Sequence, residues 1–324
     1  MAKAIRFHAC GGPEVMRLEE VPLGAPGPGE VRVRQEACGV NFLDTYQRSG
    51  LYKVPLPSGA GNEGAGIVEE TGPGVSRFRP GDRVAYAGGP VGAYAEARNL
   101  PEDRLCALPG GISFEQGAAM MLKGMTVQYL IRRTYRVKAG DAVLFHAASG
   151  GVGLIACQWL KALGATVIGT AGSEEKCELA RRHGADHCIN YRAEDFTERV
   201  RALTGGEGVS VVYDSVGRDT FLGSIKSLRP FGLLVSFGNA SGPVAPFEPG
   251  LLAQNGSLYF TRPTLFTHIA RREDLEAISK DLFDIVLSGQ VRIEVARRYA
   301  LADAPQAHRD LEGRLTHGAS ILVP

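Results

Sequence analysis

The chain has 324 residues, 44% of them hydrophobic and 22% charged, which is the composition of an ordinary globular protein with room for two domains. Lys and Arg number 36 and Asp and Glu 35, so the net charge of +1 indicates neither a nucleic-acid surface nor an anionic-membrane surface. The six cysteines form no C-x-x-C pair, and no apolar leader or membrane-length apolar run is present, so we expect a cytosolic protein.

Up to about residue 124, short alternating or apolar runs are separated by Gly and Pro. This pattern predicts a twisted, largely antiparallel β domain. The predicted strands are Ala4–Phe7, Glu30–Ala37, Gly66–Thr71 and Arg83–Tyr86. A helix is predicted over Phe114–Arg133.

From residue 142 onward, strands and helices alternate, which indicates a parallel, doubly wound α/β sheet. The predicted strands are Ala142–Ala147, Thr166–Thr170, His187–Asn190, Val209–Asp214, Gly232–Ser236 and Ser257–Thr261. The predicted helices are Gly151–Leu163, Glu174–His183, Thr197–Thr204 and Thr220–Ser227. A helix over Arg272–Ser288 and strands over Val295–Tyr299 and Ala319–Val323 follow.

The end of the chain does not continue this alternation, so we expect it to return and complete the first domain. The predicted ranges are 1–124 for the first part of a substrate domain, 125–262 for a nucleotide-binding domain, and 263–324 for the returning segment. Such an insertion leaves a cleft between two domains, which is a usual place for a cofactor and a substrate.

A dinucleotide fingerprint lies at the start of the alternating region. Ala148, Gly150 and Gly153 occupy the three small positions of a G-x-G-x-x-G motif between a predicted strand and a predicted helix. Small residues there permit a tight turn and close approach of a pyrophosphate to the helix N-terminus. His146, directly before the motif, is interpreted as a hydrogen-bonded turn residue rather than an acid or base.

The second strand of the predicted nucleotide-binding sheet indicates which nucleotide binds. An NAD site normally has Asp or Glu at the end of this strand, where it accepts from the ribose hydroxyls. No carboxylate stands there; Ser173 and then Lys176 follow, and both can bind a 2′-phosphate. Lys176 could equally be a solvated helix residue, and Glu174 is interpreted as pointing outward. The pattern favours NADP.

Together these motifs resemble the zeta-crystallin-like NADPH:quinone oxidoreductases of the medium-chain dehydrogenase/reductase superfamily. The resemblance covers essentially the whole chain and depends on the order and spacing of six segments: 39–52, 61–68, 80–84, 122–127, 146–153 and 213–217. It implies a GroES-like substrate domain, a Rossmann cofactor domain, NADPH as cofactor and a homodimer formed through the cofactor domains.

The chain departs from the zinc-dependent branch of this superfamily. In that branch the catalytic metal is held by a Cys in the segment matching 39–44 and by the His of a Gly-His-Glu motif. This chain has Asn41 and Asn62 at those places, and an amide is a poor zinc ligand beside thiolate or imidazole. We therefore expect catalysis without metal.

The resemblance also indicates site residues. Asn41, Tyr46 and Tyr52 are candidates for the catalytic site, because a tyrosine hydroxyl can donate a hydrogen bond to a quinone oxygen; either Tyr could instead be a half-buried packing residue. Cofactor contacts are expected, by motif match, from Asn41, Thr126, Gly150, Gly151, Val152, Gly153, Ser173, Lys176, Tyr191, Ser215, Phe237, Gly238, Asn239, Ser241, Phe260, Thr261, Arg262 and Arg314.

The expected activity is transfer of hydride from NADPH to a quinone. An NADPH-dependent enone or 2-alkenal reductase is the alternative enzyme, because both kinds of acceptor are conjugated carbonyl compounds. A nucleotide-binding structural protein or an RNA-binding protein is the alternative of another class. The near-zero net charge gives no basic surface for RNA, and the complete set of nucleotide-binding loops favours catalysis.

Overall fold

The computed structural model describes residues 1–324, and the chain divides into two compact units. The first unit consists of residues 1–125, 269–287 and 293–324, and the second of residues 126–268 and 288–292. The second unit therefore ends at residue 268 rather than at the expected 262, and it also takes in a short later piece, 288–292.

The N-terminal part of the first unit is rich in β-strands. Its elements are β1 (Ala2–Phe7), β2 (Arg17–Val21), β3 (Glu30–Val40), α1 (Phe42–Ser49), β4 (Ser58–Gly59), β5 (Glu63–Thr71), β6 (Arg83–Ala87), β7 (Ala97–Pro101), β8 (Cys106–Ala107) and α2 (Phe114–Tyr129). β2, β1 and β4 form a small antiparallel sheet. In β3, Val31 and Val33 alternate with more exposed residues and enter the core, which is the period expected for a sheet with one buried face.

The second unit is a parallel α/β sheet. Its elements are β9 (Ala142–Phe145), α3 (Gly151–Ala162), β10 (Thr166–Ala171), α4 (Glu174–Arg182), β11 (His187–Asn190), α5 (Phe196–Leu203), β12 (Val209–Asp214), α6 (Phe221–Ser227), β13 (Leu228–Ser236), α7 (Gly250–Gln254), β14 (Tyr259–Thr261) and α8 (Leu265–His268). The strand order is β11-β10-β9-β12-β13-β14, so β10 and β11 are added on one side of β9 and the later strands on the other, and the strand order reverses between β9 and β12. Doubly wound sheets bind ligands beyond the carboxyl ends of the strands at such a reversal.

The rest of the chain adds α9 (Arg272–Leu287), β15 (Val295–Ala300), α10 (Ala304–Glu312) and β16 (Ala319–Val323). β16 pairs antiparallel with β3 and parallel with β15, so the returning chain extends the larger sheet of the first unit. That sheet has the order β15-β16-β3-β5-β6-β8, and β7 also pairs with β3. None of the helices combines the length and apolarity needed to cross a bilayer.

Several local features differ from the sequence-based prediction, and three of them have a clear physical reason. Helices α1 and α10 were not predicted, because both are short and bury polar side chains. The helix predicted over Phe114–Arg133 is α-helical only to Tyr129 and continues as a π-helix over Leu130–Thr134. The strand predicted to reach Ala147 ends at Phe145, because Ala147 takes a left-handed conformation with φ of 55° and turns the chain.

Candidate active site and cofactor-binding site

The fingerprint turn brings β9, α3 and β10 close together. The Ala148 N–H donates to Thr170 O over 2.9 Å, which fixes the turn against β10. A Cβ at Gly153 would lie 2.4 Å from Ala147 O, and a Cβ at Gly169 would lie 2.6 Å from the Cβ of Ala148. Both positions therefore exclude a side chain, which is the physical reason for the small residues in the motif.

The N-terminus of α3 can receive an anion. The helix begins at Gly151 after Gly150, no side chain caps it, and its first turn has no acidic residue. The N–H groups of the first turn have no intrahelical acceptor, so those of Gly151, Val152 and Gly153 are placed to bind a pyrophosphate. The turn and the helix start fit a dinucleotide.

A second polar cluster lies where β10 ends. Ser173 caps α4, and its hydroxyl accepts from the Lys176 N–H over 3.3 Å. A Cβ at Gly172 would be 2.7 Å from Tyr191 Oη and 3.7 Å from Arg192 Nε, so both side chains reach the same turn. Hydroxyl and cationic groups of this kind suit a phosphate monoester.

Glu174 lies next to Ser173 but forms an ion pair with Arg181 further along α4. The negative charge is thus neutralised on the helix itself, in agreement with the interpretation that Glu174 points outward. The sequence analysis did not select Arg192; its position beside Tyr191 in the loop after the third strand was the available signal.

Asp214, at the end of β12, organises the loops at the sheet edge. Its buried carboxylate accepts from the N–H of Val216 at 2.8 Å and of Gly217 at 3.0 Å, and from the hydroxyl of Ser224 at 2.8 Å. His146 lies 2.9 Å from the same Ser224 hydroxyl through Nε2. Its Nδ1 lies 2.9 Å from the Thr170 hydroxyl, and burial lowers the pKa of His146. His146 is thus a hydrogen-bonded core residue.

Two predicted contacts, Gly238 and Ser241, join the loops that follow β12 and β13. A Cβ at Gly238 would lie 2.4 Å from Ser215 O, so the loops approach through backbone atoms. The Ser241 hydroxyl donates to Val216 O at 2.9 Å and accepts from the Asp219 N–H at 3.1 Å. Ser241 therefore holds the two loops together, whatever it contributes to the cofactor.

Two predicted contacts, Phe237 and Phe260, pack against other aromatic rings of the second unit. The ring of Phe237 lies 5.9 Å from that of Phe145, and the ring of Phe260 lies 5.4 Å from that of Phe247. Arg262 donates to Ser236 O at 2.8 Å. The other predicted contacts are Thr126, buried on α2; Ser215 and Asn239, partly exposed after β12 and β13; Thr261, the last residue of β14; and Arg314, exposed in the first unit with φ of 57°.

A buried carboxylate in the first unit binds Asn41. Asn41 Nδ2 donates to Glu63 Oε2 over 2.8 Å, and Lys123 Nζ donates to the same oxygen over 3.0 Å. The other oxygen, Oε1, accepts from the Leu122 N–H at 2.7 Å, and Glu63 is 0% exposed. Because a carboxylate only accepts, the amide nitrogen of Asn41 must face Glu63.

Asn62 is held by α1. Its Nδ2 donates to Asp44 Oδ1 and to Gln47 Oε1, each over 2.7 Å. Asp44 Oδ2 also accepts from the Asn41 N–H over 2.9 Å, which caps the first turn of the helix. Both asparagines are therefore fixed by the same short helix.

This donor set is a poor fit for catalytic zinc. The Asn41 and Asn62 side chains are committed to carboxylates as hydrogen-bond donors, and the Lys123 ammonium supplies the positive charge beside Glu63. Zinc prefers thiolate and imidazole ligands, and a second cation near Lys123 would be repelled. No group of three or more His, Cys, Asp or Glu side chains is arranged to hold a metal ion.

Three aromatic rings form a chain on and after α1. The rings of Tyr46 and Tyr52 are 5.3 Å apart in an edge-on arrangement, and that of Phe42 is 6.2 Å from Tyr46. Tyr52 is 36% exposed, whereas Tyr46 is partly buried. Both tyrosines were predicted from the sequence, but the buried polar partners of the asparagines, Asp44, Gln47 and Glu63, were missed, as was Lys123, which binds Glu63.

The fold and these sites define a medium-chain dehydrogenase/reductase. The family model "Alcohol dehydrogenase GroES-like domain" matches residues 27–113, and "Zinc-binding dehydrogenase" matches residues 151–283. A quinone oxidoreductase of Pseudomonas aeruginosa is 55% identical over 100% of both chains. The crystal structure of Escherichia coli quinone oxidoreductase complexed with NADPH has a TM-score of 0.98 and 52% identity, again over 100% of both chains. A 2-haloacrylate reductase of Burkholderia is 46% identical over 100% of this chain and 99% of its own.

The chain belongs to the quinone oxidoreductase family of the medium-chain dehydrogenase/reductase superfamily. The GroES-like domain and the Rossmann sheet expected from the sequence are both confirmed.

Proposed function

We propose that this protein is an NADPH-dependent quinone reductase. The observation that carries the proposal is the identity of 55% over the full length with a quinone oxidoreductase, combined with a dinucleotide-binding turn that is complete in this chain. The direct test is oxidation of NADPH, followed by absorbance, with 1,2-naphthoquinone as acceptor. Rapid quinone-dependent oxidation is expected, and no oxidation above the rate without enzyme would contradict the proposal.

When bound, NADPH supplies the hydride, and the protein supplies binding, orientation and hydrogen bonds. The first turn of α3 binds the pyrophosphate, and the cluster of Ser173, Lys176, Tyr191 and Arg192 binds the 2′-phosphate. The uncapped helix N-terminus supports the first assignment, and the approach of the Tyr191 hydroxyl and the Arg192 guanidinium to Gly172 supports the second.

For the acceptor, we propose that Tyr46 and Tyr52 donate hydrogen bonds to the quinone oxygen that gains negative charge. A neutral phenol hydroxyl can stabilise that oxygen without a metal, and a quinone is electrophilic enough to need little further polarisation. We also propose that Asn41, whose amide nitrogen is held by Glu63, lies in contact with the cofactor or the substrate.

We also propose that the reaction needs no zinc. The amide groups of Asn41 and Asn62 support this, because they stand where the zinc-dependent branch has metal ligands and already donate hydrogen bonds to carboxylates. The ion pair of Lys123 with Glu63 also supports it, because it already neutralises the nearby carboxylate.

A 2-alkenal or enone reductase is the second candidate function. The observation that favours it is the 46% identity with a 2-haloacrylate reductase. Comparison of kcat/KM for 1,2-naphthoquinone with that for an alkenal separates the two activities. Absence of turnover with either acceptor would favour a nucleotide-binding structural or RNA-binding role.

A homodimer in the cytoplasm completes the proposal. β14 is an edge strand of the second unit, and Tyr259 on it and Phe231 on the neighbouring β13 are 61% and 70% exposed. An open edge beside large apolar side chains favours association with a second copy. All six cysteines are free, as expected in a reducing compartment. Light scattering should give twice the mass of the 34.5 kDa chain.

A further inference from the structure

A network of hydrogen-bonded polar side chains, which we call the Asp44 network, leads away from Asp44 in the first unit. The Tyr94 hydroxyl donates to Asp44 Oδ2 over 2.7 Å and lies 3.2 Å from His308 Nε2. His308 Nδ1 lies 3.2 Å from Arg48 Nη1. Arg48 also binds both oxygens of Glu312, at 2.7 and 3.1 Å. The Asp44 network thus ends at the partly exposed carboxylate of Glu312.

The chemistry of the members fixes the direction of every hydrogen bond. Arg48 can only donate, so His308 Nδ1 accepts, and a neutral His308 carries its proton on Nε2. Burial, with a smaller contribution from Arg48, lowers the pKa of His308 to about 3, so the ring is neutral at physiological pH. His308 then donates to the Tyr94 oxygen, and Tyr94 donates to Asp44.

Asp44 connects the Asp44 network to the candidate active site. Its side chain is buried, with the residue only 2% exposed, and it accepts from the Asn41 N–H and from Asn62 Nδ2 as well as from Tyr94. Burial raises the pKa of Asp44 to about 6, although its three hydrogen bonds and the charge of Lys123 oppose this rise. The other titratable groups around Asp44 and Tyr94 are Cys38, Glu63, Lys123 and His308.

We propose that Tyr94, His308 and Arg48 are positioning residues that keep the Asp44 carboxylate ionised and thereby hold Asn41 and Asn62 in place for catalysis. This proposal rests on the proposed quinone reductase function. An ionised Asp44 offers acceptors to the N–H of Asn41 and the amide of Asn62 at once. Protonation converts one of its oxygens into a donor and breaks that pattern.

The Asp44 network orients the side chains of the site and does not conduct protons. Arg48 only donates hydrogen bonds, so a proton cannot pass through it from Glu312 to His308. Its effect on Asp44 is electrostatic, transmitted by two neutral side chains whose dipoles all point in one direction.

The test compares two buried tyrosines of the first unit. Tyr94→Phe removes the hydroxyl that binds Asp44, whereas Tyr86→Phe removes an equally buried hydroxyl that donates to Gln35 Oε1 over 2.7 Å. The pH profile of kcat/KM with NADPH and 1,2-naphthoquinone reports ionisations of the free enzyme. Because the Tyr94 hydrogen bond lowers the pKa of Asp44, its loss should move the acid limb of Tyr94→Phe to higher pH by about one unit. The acid limb of Tyr86→Phe should match the wild type.

A second pair of variants tests His308, the next member of the Asp44 network. His308→Leu removes both hydrogen bonds and should also move the acid limb to higher pH. His308→Gln keeps an amide that can accept from Arg48 and donate to Tyr94, and it should restore most of the wild-type profile. Equal profiles for Tyr94→Phe, Tyr86→Phe and the wild type, or no difference between the two His308 variants, would overturn the proposal.

Failure of this proposal for Tyr94, His308 and Arg48 is distinguishable from failure of the proposed quinone reductase function. If the wild type does not oxidise NADPH with a quinone, the proposed function is wrong. The ionisation of Asp44 can still be measured, without substrate, from the pH dependence of the free energy of unfolding. In that measurement too, Tyr94→Phe should shift the transition to higher pH and Tyr86→Phe should not; a shift common to both would show a merely structural role.

Discussion

Asn41 and Asn62 stand where zinc-dependent members of the superfamily carry a cysteine and a histidine. The sequence pattern identified both residues, but it could not show what fixes them. Glu63, Lys123 and Asp44 act through contacts between distant parts of the chain, and Lys123 Nζ bonds to Glu63 across 60 positions of sequence. Local spacing contains no information about such pairs. The exception is Asp44, three residues after Asn41, where an N-cap pattern was readable.

Lys176 tests the choice of nucleotide at the residue scale. We expect Lys176→Ala to weaken NADPH binding by about tenfold, because it removes a charge from the 2′-phosphate cluster, and to leave NADH binding almost unchanged. Calorimetric titration with both nucleotides measures this. Lys226→Ala, an exposed lysine on α6, is the control and should change neither affinity. Equal losses for NADPH and NADH would refute the phosphate role.

Tyr46 tests the metal-free stabilisation of the acceptor. Tyr46→Phe should lower kcat with 1,2-naphthoquinone by about tenfold while the Kd for NADPH stays at the wild-type value, since only a hydroxyl donor is lost. The ring that packs against Phe42 and Tyr52 is retained. Steady-state kinetics and nucleotide titration give the two quantities. An unchanged kcat would remove Tyr46 from the mechanism.

Asp44 gives a pH dependence of stability. Because its pKa rises from 3.8 to about 6 on folding, the folded protein binds this proton more tightly than the unfolded chain does. Ionised Asp44 therefore destabilises the fold above about pH 6, and the penalty disappears as the pH falls toward about 4. Asp44→Asn should remove up to about 3 kcal/mol of this pH dependence.

Urea unfolding of the wild type and of Asp44→Asn at about pH 7.5 and about pH 5 measures this difference. His308 contributes with the opposite sign in both proteins, because its lowered pKa keeps it neutral in the folded state. Subtracting one protein from the other therefore isolates Asp44. The same pH dependence in both would contradict the assignment of the raised pKa to Asp44.

At the scale of elements, the parallel sheet was the most predictable part of the molecule. Its strands are short, apolar and separated by amphipathic helices, so strands such as His187–Asn190 and Val209–Asp214 were predicted with the bounds that the structure has. Helices α1 and α10 were missed because hydrophobic periodicity is the signal for a helix, and these two bury polar residues such as Arg48 and His308.

The fingerprint turn gives a prediction for α3. Gly153→Ala would place a Cβ 2.4 Å from Ala147 O, so it should destabilise the protein by about 2 kcal/mol and weaken NADPH binding. Gly250→Ala, in the same unit, has no neighbour within 4 Å of its Cβ and is the matched control. Thermal unfolding and nucleotide titration measure both effects. A Gly153→Ala protein with wild-type stability and affinity would show that this close approach is not required.

At the scale of the whole molecule, the returning C-terminal segment was predictable from the point where strand–helix alternation stops. Its pairing with β3 through β16 was not, because strand partners distant in sequence leave no local pattern. The residues that contact NADPH and the order of the dimer stay predictions. The family explains the class of reaction, and the hydrogen bonds from the Asn41 and Asn62 amides to carboxylates support the proposal that the reaction needs no zinc.

We propose that this protein transfers hydride from NADPH to a quinone without a metal. The most direct measurement is the rate of NADPH oxidation with 1,2-naphthoquinone before and after exhaustive chelation, together with the zinc content of the same protein by mass spectrometry. We expect an unchanged rate and far less than one zinc per chain. A rate that falls on chelation and returns when zinc is added would contradict it.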